Sequence, residues 1–473
     1  MKKFIMSVAF LSASLISYAE VRLPSIFSDN MVLQQQIPAP IWGWASPGAE
    51  VTITASWDGN SHQVKANQEG EWQLKLNTPK AGGPYQITIS DGDEVKLENV
   101  LIGEVWLCSG QSNMEMPLKG FSGQPILGGN EAIVNAKNDQ IRLITVPRKG
   151  SVEEQKNFEG QWEEASPAVA SGFSATAWFF GKQLQQSLDV PIGLVHVSWG
   201  GSNIEAWMSE QMLADFKDEI TIPQSEEEIK VPNRTATALY NGMISPVMGF
   251  GIKGMIWYQG ESNNGRPEQY EELMVTMLKE WRQSWALGEF PFYYAQIAPF
   301  DYGDLTDNQY VEKRNSAYLR DAQRKANKRI PNSGMAVLMD IGEKTLIHPA
   351  DKKTGSLRLA YLALAKTYGI EGFEYESPEL SGVEYKGSTA ILSFDSAPNG
   401  ITSYSKEVTI FEIAGENKKF YPANALLGRE SITLSSPSVE KPVAVRYGFK
   451  NFVEGQVFST GGLPLSSFRT DEW

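Results

Sequence analysis

At 473 residues, with 56 acidic against 42 basic side chains and a formal charge of −14, the chain has material for two or three domains, which excludes a single small module. A 41% hydrophobic and 11% aromatic content supports more than one packed core and excludes disorder over most of the length. The acidic balance, with no dense run of Lys or Arg to reverse it locally, argues against nucleic acid as a partner.

Residues 1–19 carry the pattern of a secretory signal: Lys2 and Lys3, an apolar stretch from Phe4 to Ile16, and Ser17-Tyr18-Ala19 as a small-x-small site cut after Ala19. Its loss would take the formal charge to −16. No later segment offers the roughly 18 uninterrupted apolar residues of a membrane span, so a periplasmic or secreted chain is expected. Cys108 is the only cysteine, so no intrachain disulfide can form.

Residues 20–100 read as a small β-sandwich module. Val51–Ala55, Trp72–Leu76 and Tyr85–Ile89 alternate, with Asp58-Gly59-Asn60 and Gly82-Gly83-Pro84 as turns. Residues 101–374 change texture. Strand-like runs at Val105–Cys108, Ile141–Val146, Gly193–Val197, Gly254–Tyr258, Phe292–Ile297 and Ala336–Met339 are interspersed with helical periods at Ala175–Gln185, Pro267–Trp285, Glu312–Asn327 and Asp351–Tyr368. That pattern predicts an α/β domain with a parallel sheet, whose site lies in the loops at the strands' carboxyl ends. Residues 375–473 return to short β runs and form a second β module.

Three histidines limit the chemistry: a zinc site built mainly from histidine is excluded by the count. His62 sits in a hairpin-like turn, and His196 lies inside the apolar run Leu194–Val197, where a satisfied core histidine is the simpler account. His348 follows the last strand by a short loop and precedes Pro349, a position suited to a general base. Ser112 stands at the crest of the small-residue turn Ser109-Gly110-Gln111-Ser112-Asn113-Met114, where it is either a nucleophile or, with Glu115 three residues on, a helix cap. Met114 replaces the second glycine of a Gly-x-Ser-x-Gly elbow, which disfavours that version. Two further loops, Ser198–Trp207 and Trp257–Asn263, bring glycines and amides to the same edge. The Ser112 and Gly201 N–H groups with a side-chain amide of Gln259 or Asn263 would form an oxyanion hole. Core packing is the competing account of the tryptophans, and sugar stacking the functional one.

Gly110-Gln111-Ser112-Asn113-Met114, Gly200–Trp207, Leu239–Ile244, Trp257–Asn263 and Ile347-His348-Pro349, in that order, together with the opening Leu23-Pro24-Ser25-Ile26-Phe27, resemble the sialate O-acetylesterase family of SGNH hydrolases over nearly the whole mature chain. The resemblance implies a three-layer SGNH-hydrolase-like parallel-sheet domain flanked by N- and C-terminal β-sandwich modules. It also implies an esterase acting on O-acetylated sugars, sialic acid or other glycans, with Ser112 as nucleophile, His348 as base and no metal or cofactor. Gln111, Trp207 and Trp257 are the expected substrate contacts. The chain departs from the family where an aspartate is usual two or three residues before the histidine, since Leu346 and Thr345 stand there. Glu261 is the first substitute for the third triad member, ahead of Asp340, Glu343, Asp351 or a backbone carbonyl. Two alternatives stand beside this: a non-catalytic glycan-binding protein, and Cys108 as the nucleophile with His348.

Overall fold

The computed structural model describes residues 21–304 and 315–473; the expected signal, residues 1–19, lies outside them. Six parallel strands form the middle of the central sheet: β1 (Glu94–Gly110), β2 (Asn138–Thr145), β3 (Ile192–Ser198), β4 (Gly254–Tyr258), β5 (Phe292–Ala295) and β6 (Ser333–Ala336). Their order is β6-β5-β4-β1-β3-β2, and an antiparallel strand, Glu163–Ala165, pairs with β2 at the edge, so the sheet is mixed. β3 and β4 are buried throughout, which is why they read as unbroken apolar runs.

Alternate residues of β1 enter two separate cores. Val105 and Leu107 share one with Leu273 and Met277 of α2 (Pro267–Trp285) and Leu319 of α3 (Asn315–Arg329). Trp106 and Cys108 share the other with Trp178 and Leu184 of a helix at Ala175–Leu188, α1, and with Leu359 and Leu362 of α4 (Lys352–Leu362). Each helix starts where its sequence allows: Ser174 Oγ accepts the Ala177 N–H (3.0 Å) ahead of α1, and Pro267 opens α2 with the preset φ of a first-turn proline.

β1 is 17 residues long because it belongs to two sheets. Its first half pairs with Gly82–Ser90 and Val32–Gln34 of the N-terminal β region, and its second half with β3 and β4. His62 lies within the strand Ser61–Lys65 rather than in a turn. The C-terminal residues form two four-stranded antiparallel sheets around Leu392, Phe411, Ile413, Tyr447 and Phe468. Buried Arg320 of α3 ties this module down by donating to Lys450 O (2.5 Å) and Ser467 Oγ (2.9 Å).

The last strand of the sheet and the last long helix differ from expectation. β6 covers Ser333–Ala336 and stops where its partner β5 ends, so Val337–Met339 are buried loop leading toward His348. Asp351 caps α4 from outside by accepting the Thr354 N–H (3.0 Å), and the last turn widens into a π-helix at Ala363–Thr367. Of the expected Glu312–Asn327 helix, residues 312–314 lie outside the described residues. Among the described residues no helix is long and apolar enough to cross a membrane.

Candidate active site

β1 ends at Gly110, where φ is +142° and a Cβ would stand 2.2 Å from Tyr258 O, so only glycine fits. Gln111 then pins the turn to the loop after β4: its N–H donates to Tyr258 O (2.9 Å), and its Oε1 accepts the N–H groups of Gly260 (3.1 Å) and Ser262 (3.3 Å). With its side chain buried and its oxygen used, Gln111 braces the serine turn against this loop. Ser112 begins a single helical turn, Ser112–Glu115, and is half-buried. Its Oγ is 2.8 Å from His348 Nε2, across 236 residues of sequence. The capping alternative fails because the Glu115 carboxylate instead takes Arg148 Nε–H (2.6 Å) and the Gly200 N–H (2.8 Å).

The other ring nitrogen, His348 Nδ1, lies 2.5 Å from Gln124 Oε1. An amide oxygen only accepts, so Nδ1 carries the proton and the Nε2 lone pair faces the Ser112 hydroxyl. Phe121, at the start of the same turn, meets the imidazole edge-on at 5.4 Å between centroids. Burial, with the Lys352 ammonium nearby, lowers the His348 pKa to about 4, so the ring is neutral at ordinary pH.

Asn113 and Lys352 hold the histidine loop over the serine turn. Asn113 Nδ2 donates to Glu261 Oε1 (2.6 Å) and Ile347 O (3.2 Å), while its Oδ1 accepts from Lys352 Nζ (2.7 Å). Lys352 Nζ also donates to Pro349 O (2.7 Å), so the residues on both sides of His348 are anchored. Burial brings the Lys352 pKa down to about 7, against the opposing pull of Glu261, Glu343 and Asp351. Glu261 is therefore not the third triad member. It bonds Asn113 and not the imidazole, its Oε2 has no partner, and burial raises its pKa. The other carboxylates are also occupied: Asp340 pairs with Arg358 (2.7 Å), Glu343 accepts the Ala350 N–H (2.8 Å), and Asp351 caps α4.

The oxyanion donors need a partial correction. Neither the Ser112 N–H nor the Gly201 N–H has an acceptor among the described residues. Gly201 adopts φ +71°, and Gly200, whose Cβ would lie 3.2 Å from Ser112 Cβ, brings this loop against the Ser112 side chain. Gln259 and Asn263 are engaged elsewhere. Gln259 Nε2 donates to Ser202 O (2.9 Å) and Asn263 Oδ1 (2.8 Å), and Asn263 Nδ2 donates to Glu205 Oε2 (2.9 Å). Both amides are buried and shape the wall that carries Gly201; Gln259 spends both of its amide hydrogens there, whereas Asn263 Nδ2 spends one of its two on Glu205. Trp207 and Trp257 are fully buried in an edge-to-face ladder with Trp281 (6.1 Å for each contact of Trp257), so neither can stack on a sugar. His196 is a core residue whose Nε2 bonds Ser198 Oγ (2.6 Å). Cys108 is sealed in the interior, with burial pushing its thiol pKa up, which removes it as a nucleophile.

Gln124, Lys352, Arg148 and Trp199 were not assigned roles from the sequence. Only Trp199 had a signal, in its position directly after β3. Parallel strands carrying a serine–histidine pair at their carboxyl ends are the arrangement of a serine hydrolase of mixed α/β fold. A family model described as carbohydrate esterase, sialic acid-specific acetylesterase, matches residues 102–348. The sialate O-acetylesterases of Homo sapiens and Pongo abelii are each 30% identical over 466 residues, covering 90% of this chain and 87% of theirs. A crystal structure of a carbohydrate acetylesterase from Xanthomonas citri is 36% identical, with a TM-score of 0.87 over 96% of this chain and all of that one. The chain belongs to the sialic acid-specific acetylesterase family of carbohydrate esterases.

Proposed function

We propose that the protein removes acetyl groups from O-acetylated sugars, sialic acids or other glycans, through an acetyl-enzyme on Ser112. The observation that carries this reading is the 2.8 Å approach of His348 Nε2 to Ser112 Oγ, beside two backbone N–H groups without acceptors. Ser112 Oγ attacks the acetyl carbonyl as His348 Nε2 takes its proton, and the Ser112 and Gly201 N–H groups receive the oxyanion. The C–O bond to the sugar breaks, the departing alkoxide takes the proton from Nε2, and water, deprotonated by the same nitrogen, releases acetate. Gln124 completes the set by fixing the tautomer. It cannot neutralise the imidazolium as a carboxylate would, but its oxygen selects the Nδ1–H form that a triad requires.

This chemistry is assigned to a three-layer SGNH-hydrolase-like domain at about 101–374, between β modules at 20–100 and 375–473, in a periplasmic or secreted protein cut after Ala19. Acetate release from a panel of O-acetylated sialic acids and xylo-oligosaccharides is the test. Ser112→Ala is expected to abolish release with the fold intact. Turnover by that variant would end the serine assignment.

A further inference from the structure

Given that serine-esterase reading, the leaving sugar must be held on the rim of the Ser112 turn, and both tryptophans first expected there are sealed in the core. Arg148 and Trp199 occupy that rim. Arg148 leaves the carboxyl end of β2 and Trp199 that of β3, two strands paired in parallel on the same side of β1. The Arg148 guanidinium lies over the Trp199 ring, 5.6 Å from its centroid, and its Nε–H is held by Glu115 Oε1 at 2.6 Å. Glu115 is only 14% exposed and uses its second oxygen on the Gly200 N–H, so one carboxylate fixes both the arginine and the loop beside the nucleophile. The Arg148 side chain is nevertheless 52% exposed, and neither Nη has a hydrogen-bond partner among the described residues.

We infer that Arg148, carried by Trp199 and Glu115, is the residue that grips the sugar half of the ester, donating its Nη–H groups to acceptor oxygens on the pyranose. Three of its features fit that task. A guanidinium braced on an indole and a carboxylate loses little freedom on binding, so its donors are preorganised. Its charge is already balanced by Glu115, so it presents directional donors without a strong unpaired charge. A Cβ on Gly200 would stand 3.0 Å from Glu115 Oε2 and 3.2 Å from Ser112 Cβ, so the carboxylate that holds Arg148 lies against the same loop as the reacting serine. Ring hydroxyls and a sugar carboxylate offer the same acceptor chemistry, and the substrate arms below separate them.

Steady-state kinetics of the full chain and of Arg148→Gln are compared on three esters: an O-acetylated sialic acid, an O-acetylated neutral methyl glycoside, and p-nitrophenyl acetate, which has no sugar. The variant is expected to lose about tenfold or more in kcat/KM on the sugar esters, mainly through KM, beyond whatever it loses on p-nitrophenyl acetate. Loss confined to the sialic ester assigns the contact to a carboxylate, and loss on both sugars assigns it to hydroxyls. Trp199→Leu, which removes the platform, is expected to follow in the same direction. Equal losses on all three esters, or none on either sugar, would overturn the inference while leaving the serine reading standing. Ser112→Ala turnover on p-nitrophenyl acetate tests that reading separately.

Discussion

Replacing Gln124 by glutamate puts a charge where the wild-type protein has a dipole, at an atom 2.5 Å from His348 Nδ1. The wild-type ring is held at a pKa of about 4 by burial and by the Lys352 ammonium. Since the base must be neutral to accept the serine proton, kcat/KM of the wild type falls only as pH drops through about 4. A carboxylate within hydrogen-bonding range of an imidazole raises its pKa by roughly 1–3 units, which moves the acid limb of Gln124→Glu to between about 5 and 7. With a shift of about 2 units, roughly nine-tenths of the wild-type histidines but only about one-tenth of the variant's are in the basic form at pH 5. The assay is the pH dependence of kcat/KM for acetate release, with Gln124→Leu as the companion. Leucine leaves the Nδ1–H without an acceptor, and the plateau is expected to fall by about 1–3 kcal/mol in barrier terms, about 5- to 150-fold. An acid limb at the same pH in wild type and Gln124→Glu would refute the assignment of Gln124 as the partner of the ring.

Glu261→Gln keeps the acceptor for Asn113 and removes a buried carboxyl, so kcat/KM is expected to stay within about tenfold of wild type, whereas loss of a true triad acid costs on the order of 10⁴. Lys352→Met removes the Nζ bonds to Asn113 and Pro349 O, and hydrogen bonds from a charged donor contribute about 1.5–3 kcal/mol each. Calorimetry should therefore show a clear fall in Tm, and the acid limb should move upward as the cation beside His348 is lost. Trp257→Ala should cost about 3–5 kcal/mol of stability, read in denaturant unfolding; a raised KM with unchanged stability would restore it to the sugar site.

Much of the fold could be read because burial leaves a period. Pro267–Trp285 and Gly254–Tyr258 appear with the expected bounds, one from a first-turn proline and a long amphipathic stripe, the other from an unbroken apolar run. β1 could not be seen whole, because residues 94–100 alternate between exposed and buried where they pair with Gly82–Ser90, while residues 100–110 are buried throughout. In the site, His348 stood out by scarcity, among only three histidines, whereas turn chemistry left Ser112 open between nucleophile and helix cap and the family resemblance favoured the first. Gln124 was not, since an amide in a loop of glycines and prolines carries no local mark, and its role comes from a contact 224 residues away in sequence. Trp207 and Trp257 misled for the opposite reason: an indole beside glycines suits a sugar or a core equally well, and only burial decides. Glu261, expected as the third triad member, falls short of that role because Asn113 stands between its carboxylate and the histidine loop.

If turnover passes through an acetyl-enzyme, mass spectrometry of the protein quenched during hydrolysis of an O-acetylated sugar detects it. One acetyl group should be found on the peptide that contains Ser112, and none on Ser112→Ala. Acetate released at full rate with that peptide unmodified, or an acetyl group accumulating on another residue at the rate of turnover, would contradict the account.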